Sequence, residues 1–322
     1  MSETTIYESA LSSKIASYVA ARRAEGNKFV TGAYLMRQLD RLACDMGWER
    51  DVLGRELVEE YVSPRPGERE STRANRVSAA RCFGRYLAAG GDEGAYVLPA
   101  VGLSVGKYDF VPRLLTEGEV ARLFAAADSM RPCGASPLRH MVTPMLLRVT
   151  YCCGLRISEA TGLLWRDVDL EAGVLSVRGA KFNKDRMVPM SATLANACRG
   201  YASAMEPFGR NPASWFLPSP NGRYSSSAVG TTFRALLAAA GIPHYDDGPT
   251  LHSLRHSFAC HRLAAWARDG TDVAAMMPYL SAYMGHEGLL GTERYLRLTA
   301  EMVPDLRGLV EATCSWVVPG VM

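Results

Sequence analysis

Residues 91–113, GDEGAYVLPAVGLSVGKYDFVPR, interrupt a sequence that otherwise carries apolar residues at helical spacing. This stretch is rich in glycine and proline and has no helical period, which is typical of a connection between domains. The chain has 322 residues, 48% of them hydrophobic; this is enough apolar material for a real core, and the length suggests two domains. We therefore expect a helical domain over 1–92, a linker over 93–112, a second domain over 113–304 and a tail over 305–322.

The first domain is predicted to be helical because its apolar residues recur every three to four positions. One stripe runs from Leu11 to Val19, a second from Leu35 to Met46, and a short third helix lies near 54–62. A fourth helix over 71–90 would bury Val77, Ala80, Phe83 and Leu87.

A row of arginines accompanies the fourth helix, and we place it on the side opposite the apolar face. Its members are Arg69, Arg73, Arg76, Arg81 and Arg85. Guanidinium groups on one helix face suit the phosphate backbone of DNA, so we expect Arg69, Arg73, Arg76 and Arg81 to bind it. The alternative is a solvated face whose charge is balanced by Glu68 and Glu70.

Helices also dominate the second domain, with one β interruption. A capping box at Thr116 and Glu119 opens its first helix. The segments VLSVR (174–178) and RMVPM (186–190) flank GAKFNKD and predict a β-hairpin. The fold class that follows is mainly α with a small antiparallel β-sheet (α+β).

Composition disfavours several classes of protein. No run of eighteen apolar residues predicts a membrane span, and the N-terminus lacks the layout of a signal peptide, so we expect a cytoplasmic protein. The eight cysteines contain no C-x-x-C pair and are expected to be small buried hydrophobes. The net charge of +3 does not by itself indicate a nucleic-acid partner.

Four short segments of the second half carry residues suited to chemistry: GLRISE (154–159), GAKFNKDR (179–186), HSLRH (252–256) and MGHEGLLGTERY (284–295). Each alone has an ordinary explanation, since an arginine near a helix start is usually a surface or ion-pair residue. His252 and His256 have the i, i+4 spacing of two zinc ligands, but Ser253 stands where the zinc-protease pattern has glutamate. No clear third ligand follows, so we expect no metal and no other cofactor.

Together, the four segments resemble the tyrosine recombinases, also called phage integrases, over residues 112–300. The family pattern is an arginine, a lysine in a β-turn, His-x-x-Arg, Gly-His, and a tyrosine nine residues past that histidine. Residues 1–100 resemble the helical core-binding domain of the family, and more loosely. The resemblance implies a core DNA-binding domain over 1–92, a catalytic domain over 113–304, and a double-stranded DNA recombination site as partner.

The resemblance also implies how the scissile phosphate would be held. Arg156 and Arg255 match the two arginines that clamp its non-bridging oxygens, and His286 matches the histidine that donates a further hydrogen bond. Guanidinium groups suit this role because they stay protonated and bind oxyanions in fixed geometry. Glu159 matches an acidic residue that supports the site.

Tyr295 matches the nucleophile of the family. A phenol titrates near pH 10, so it needs a base or a strongly positive site, and His252 is the matching base. Lys181 matches the turn lysine that protonates the leaving 5′ oxygen, and Lys184 fits a second basic, DNA-binding position. The implied product is a 3′-phosphotyrosine, and the implied function is site-specific recombination without metal or ATP.

The resemblance implies further partners. Recombinases of this family work as tetramers, so we expect a homotetramer on DNA, a monomer or dimer when free, and partner recombinases or accessory proteins. The tail has an apolar set of side chains: Leu306, Leu309, Val310, Trp316, Val317 and Val318. This segment either docks into a neighbouring subunit or packs on its own domain, and we favour the first.

Two other functions stay open. A type IB topoisomerase uses the same nucleophile but relaxes DNA of any sequence, whereas a regulator without catalysis would only bind DNA. Ser253 and Ala160 replace the usual aspartate and leucine of the family. The long stretch between His252 and His286 resembles recombinases of transposon-like elements, which bears on the subgroup and not on the reaction.

Overall fold

The structure, a computed structural model, describes residues 7–26, 29–100, 112–178, 185–245 and 248–286, together with Thr292, Tyr295 and Leu296. The chain divides into two compact units, Met1–Phe110 and Val111–Met322. The domain, linker and tail bounds given above stay a prediction.

The described part of the first unit is helical. Its helices are α1 (Ser12–Ala24), α2 (Val30–Asp45), α3 (Arg55–Val62) and α4 (Glu70–Ala89). The stripes read from the sequence meet in one core, where Leu11, Ile15, Leu39, Leu57 and Phe83 are completely buried. The second stripe extends one residue too far, because α2 ends at Asp45 and Met46 is 42% exposed.

Part of the predicted linker packs against this core. The Tyr96 amide donates a hydrogen bond to the Leu53 carbonyl at 2.8 Å. The side chains of Ala95, Tyr96 and Leu98 contact the buried residues of the first unit. Residues 95–98 are therefore part of the first unit's packing.

Arg76 is a correction to the predicted DNA-binding row. Its side chain is 1% exposed and lies inside the first unit. It forms an ion pair with Glu68, contacts the Tyr61 carbonyl and donates to the Ser63 carbonyl at 2.9 Å. Because positions 76, 80, 83 and 87 follow one another at helical spacing, Arg76 belongs to the buried face and its guanidinium is not available to a phosphate.

The second unit is mainly helical with two small antiparallel sheets. Its helices are α5 (Glu117–Asp128), α6 (Arg139–Cys152), α7 (Ile157–Ala160), α8 (Ala192–Met205), α9 (Ser226–Ala239), α10 (Leu251–Arg268) and α11 (Val273–Met284). Its strands are β1 (Val168–Asp169), β2 (Val174–Val177), β3 (Arg186–Pro189), β4 (Pro218–Ser219) and β5 (Gly222–Arg223). The predicted fold class is confirmed.

Local signals placed several of these elements correctly. Thr116 and Glu119 form the capping box at the start of α5, with the Glu119 amide donating to Thr116 Oγ1 at 3.2 Å. Strands β2 and β3 pair antiparallel, with Val177 opposite Arg186. The turn between them, residues 179–184, lies outside the described residues.

The core of the second unit surrounds α6 and extends to α10. Residues of α6 such as Val142, Leu146 and Val149 are buried against the β-sheet and α8, whereas Leu147 faces α5 and α9. A further cluster joins α10, α11 and Tyr295. In the ranges described, no helix is both long and apolar enough to cross a membrane.

Candidate active site

The site begins where α6 gives way to α7. Gly154 has φ +57°, and a side chain there would meet the Phe258 ring at 2.6 Å, so glycine is required for this turn. The turn places Arg156 just before the first residue of α7 and Glu159 one turn inside it. Glu159 then accepts hydrogen bonds from the Arg156 backbone amide and from Arg156 Nη1, both at 2.8 Å.

Arg186, the first residue of β3, completes the coordination of Glu159. Its Nη1 and Nη2 donate to the two oxygens of the Glu159 carboxylate at 3.1 and 2.9 Å, and its Nε donates to the Tyr283 carbonyl at 2.9 Å. The Arg186 side chain is only 11% exposed. Sequence reasoning missed this residue, although it closes the quoted segment GAKFNKDR.

Glu159 is ionised as a result of these contacts. Burial alone would raise the pKa of Glu159, but the hydrogen bonds from Arg186 and from the Arg156 amide outweigh burial and lower the pKa to about 2. The carboxylate therefore holds two guanidinium groups in place at neutral pH.

Arg255 is buried at the start of α10 and is held by backbone. Its Nη1 donates to the Gly154 carbonyl at 2.6 Å and its Nη2 to the Met284 carbonyl at 2.7 Å. Burial and the neighbouring charge of Arg156 lower the pKa of Arg255 to about 10, so the side chain stays protonated at pH 7. Its Nη1 is 3.9 Å from the Glu159 carboxylate.

These groups leave the site positive. Three arginines at 156, 186 and 255 lie around one carboxylate, Glu159, which leaves two positive charges uncompensated among these four side chains. Fixed cations in a partly desolvated site attract an anion such as a phosphate more strongly than cations in water do.

His286 lies two residues past the end of α11. Gly285 caps this helix with φ +70°, and a side chain there would meet Arg186 Nη1 at 2.8 Å. The Gly285 carbonyl accepts from Arg156 Nη2 at 3.2 Å, and His286 Nδ1 lies 2.8 Å from Thr292 Oγ1. Burial, followed by the charges of Arg255 and Arg156, lowers the pKa of His286 to about 4 and keeps it neutral at pH 7.

Tyr295 is 2% exposed and packs against α10 and α11. Its ring stacks on the His286 ring with centroids 5.9 Å apart and an interplanar angle of 22°. Its hydroxyl oxygen lies 3.0 Å from Nδ1 of His256. His256 is the second residue that sequence reasoning missed, because it was weighed only as a zinc ligand.

His252, the predicted base, lies one turn before His256 on α10 and is exposed. The rings of the two histidines meet edge to face, with centroids 4.6 Å apart. The structure thus brings together Arg156, Glu159, Arg255, His286 and Tyr295, with His252 beside them. Lys181 and Lys184 lie outside the described residues.

The predicted DNA-binding arginines of the first unit differ in their surroundings. Arg69 is exposed at the start of α4. Arg73 Nε donates to the Val62 carbonyl at 2.9 Å, and Arg81 donates to the carbonyls of Leu98 and Pro99 at 3.1 and 2.7 Å. Both residues are half-buried, and these hydrogen bonds use part of their donor capacity within the unit.

Comparison with known proteins decides the family. The sequence model of the phage integrase family matches residues 113–302. The chain belongs to this family. It is 31% identical over 303 residues to y4rE of Sinorhizobium fredii, described as an integrase/recombinase, covering 93% of this chain and 95% of that protein. It is also 35% identical over 188 residues to the tyrosine recombinase XerD of Neisseria meningitidis, covering 58% of each. This member of the phage integrase family is a tyrosine-type site-specific recombinase.

Solved structures agree on the fold of this recombinase. It superposes on the XerH site-specific recombinase bound to its difH substrate with a TM-score of 0.65 and 17% identity, covering 95% of this chain and 86% of that chain. It also superposes on the Tn1549 transposon integrase in complex with DNA, with a TM-score of 0.61 and 18% identity. This match covers 88% of this chain and 94% of that chain.

Proposed function

We propose that this recombinase cuts and rejoins double-stranded DNA at its own recombination site through a 3′-phosphotyrosine on Tyr295. The observation that supports the proposal most directly is that the phenol of Tyr295 lies beside a cluster of positively charged side chains. Tyr295 stacks on His286, and the arginines at 156 and 255 lie in the same site. A phenol, fixed cations and imidazoles together suit attack on a phosphodiester.

The cations act on the phosphate. In the proposed reaction, Arg156 and Arg255 bind the non-bridging oxygens and offset the charge that grows as phosphorus becomes five-coordinate. One fixed donor of this kind contributes about 3–4 kcal/mol to catalysis in other enzymes. Glu159 and Arg186 act indirectly, because they fix the guanidinium of Arg156. Neutral His286 donates a hydrogen bond to the phosphate.

The bond changes follow from these positions. The hydroxyl of Tyr295 gives its proton to a histidine of α10 and its oxygen bonds to phosphorus. The bond from phosphorus to the 5′ oxygen breaks, and Lys181 gives that oxygen a proton. The phosphotyrosine conserves the energy of the phosphodiester, so a 5′ hydroxyl of another strand reverses the step. No ATP or metal enters this balance.

The remaining assignments complete the proposal. DNA would be bound by the helical domain over 1–92, through residues such as Arg69, Arg73 and Arg81, and by Lys184 of the catalytic domain over 113–304. Four copies of the chain would assemble on the recombination sites in the cytoplasm. The tail over 305–322 would then contribute to contacts between subunits.

The test is covalent capture on DNA. Plasmid carrying the DNA that flanks the gene is incubated with the protein, and protein-linked DNA is detected after denaturation. We expect Tyr295→Phe to abolish the covalent product, whereas Tyr279→Phe, at an exposed tyrosine of α11, retains it.

The outcome also separates the other functions. Covalent product formed by Tyr295→Phe would contradict the proposal. Relaxation of any supercoiled plasmid regardless of sequence would indicate a topoisomerase, and sequence-specific binding without any covalent product would indicate a regulator.

A further inference from the structure

We propose that His256 is a catalytic residue that takes the proton from Tyr295 when the tyrosine attacks DNA. The inference rests on the proposed function and assigns the base to a side chain other than the predicted one. Nδ1 of His256 lies 3.0 Å from the Tyr295 hydroxyl oxygen, within hydrogen-bond distance of the atom that would bond to phosphorus.

The position of His256 in the fold favours this role. It follows Arg255 directly on α10, so the helix that carries a phosphate-binding cation also carries the acceptor for the nucleophile's proton. His256 is 7% exposed and Tyr295 is 2% exposed, so solvent is largely kept from the pair. A base needs such contact with the proton that it removes, and geometry is the first criterion for identifying one.

The neighbouring groups give the proton a route and the phenolate a stabilising charge. The exposed His252 ring packs edge to face on the His256 ring, with the ring centroids 4.6 Å apart. A proton on His256 is therefore separated from solvent by one side chain. Tyr295 is close enough to Arg255 for a phenolate to favour the charged form of that arginine. The same charge favours loss of the phenol's proton.

The step balances as a proton transfer coupled to attack. The O–H bond of Tyr295 breaks and its proton moves to Nδ1 of His256, while the phenolic oxygen forms a bond to phosphorus. The 5′ oxygen leaves with a proton from Lys181. In rejoining, the attacking 5′ hydroxyl gives its proton to Lys181 and protonated His256 returns its proton to the departing phenolate, so the enzyme recovers its starting state.

The experiment compares two variants that separate proton transfer from hydrogen bonding. His256→Asn keeps an amide where Nδ1 stands, so it can accept a hydrogen bond but cannot take a proton. His256→Ala removes both functions. His261→Asn is the matched control, because His261 lies on the same helix and its Nδ1 is 2.8 Å from the Tyr151 hydroxyl, outside the proposed site.

The assay is single-turnover cleavage of two DNA substrates. One is the natural phosphodiester, and the other has sulfur in place of the 5′ bridging oxygen. A thiol titrates near pH 8.5, so sulfur departs without help from an acid. Relative to the unchanged protein, we expect both His256 variants to cleave about 10²- to 10⁴-fold more slowly on both substrates. The Lys181→Ala variant should be restored by sulfur, and His261→Asn should cleave normally. DNA affinity and melting temperature of the variants, measured in parallel, identify any loss through misfolding.

Three results would overturn the inference. His256→Asn with the rate of the unchanged protein would reduce the role of His256 to a hydrogen bond. Restoration of His256→Ala by sulfur would move its role to the leaving group, and a full rate for His256→Ala would remove any role. Each of these leaves the proposed function intact, since that function fails only if Tyr295→Phe still forms covalent product.

Discussion

Replacing Glu159 by glutamine tests the electrostatic design of the site. Glutamine resembles the protonated acid, so the change removes the charge and keeps the shape. The fold lowers the pKa of Glu159 from its ordinary value of 4.5 to about 2. At 1.36 kcal/mol for each pH unit, this lowering corresponds to about 3 kcal/mol of stabilisation by the ionised form.

The pH dependence follows from the direction of the shift. Because the folded pKa is depressed, the stabilisation is complete above the unfolded pKa of about 4.5 and declines as the pH falls toward 2. We therefore expect the free energy of unfolding of Glu159→Gln at pH 7 to be about 3 kcal/mol lower than that of the unchanged protein. At pH 3 the difference from the unchanged protein should be less than half as large.

Denaturant unfolding followed by tryptophan fluorescence measures this difference. Trp48 is the one tryptophan before residue 111, so a Trp48→Phe background restricts the signal to the second unit. The same series is recorded for the protein with and without Glu159→Gln from pH 7 to pH 3. A difference below about 1 kcal/mol at pH 7, or one of equal size at both ends of the series, would refute the reasoning.

Three further substitutions test other parts of the molecule. Arg76→Met should lower the free energy of unfolding of the first unit by about 1–3 kcal/mol, because it leaves the carbonyls of Tyr61 and Ser63 without their donor. Arg69→Met, at an exposed position, should change stability by less than about 0.5 kcal/mol and weaken DNA binding at all sequences. A stable Arg76→Met protein with reduced DNA affinity would contradict this assignment. The fold lowers the pKa of His286 from 6.5 to about 4, so between these pH values the unfolded chain binds a proton that the folded protein does not. Between pH 7 and pH 4, the free energy of unfolding of the unchanged protein should fall by about 3 kcal/mol more than that of His286→Asn. If the free energies of unfolding of the two proteins change with pH in parallel, this prediction is wrong.

Patterns local in sequence predicted much of the fold. Three features depend on residues close together in the chain and could be predicted from the sequence: the stripe containing Ile15, the capping box at Thr116 and the hairpin that pairs Val177 with Arg186. Arg76 was misplaced although the helical period places it with Ala80 and Phe83. A charged side chain was assumed to face solvent, and its buried ion pair with Glu68 overrode that assumption.

The order of the motifs predicted which residues meet in the site, through resemblance to a family. The sequence could not predict the partners that connect them. Glu159 meets Arg186 across 27 positions, and His256 meets Tyr295 across 39. Contacts over such separations depend on how α7, β3, α10 and the segment after α11 pack, and no local pattern encodes that packing.

The support of Arg255 has a consequence for when the enzyme becomes able to cut. The side chain is anchored by two separate segments, through the carbonyl of Gly154 in the turn after α6 and that of Met284 at the end of α11, and no carboxylate within 3.5 Å competes for it among the described residues. If either segment detaches, the arginine loses an anchor and the cluster of cations around Glu159 is no longer held together. We therefore expect a chain in which either segment has not docked to lack the proposed phosphate site, so that strand cleavage would depend on completed folding.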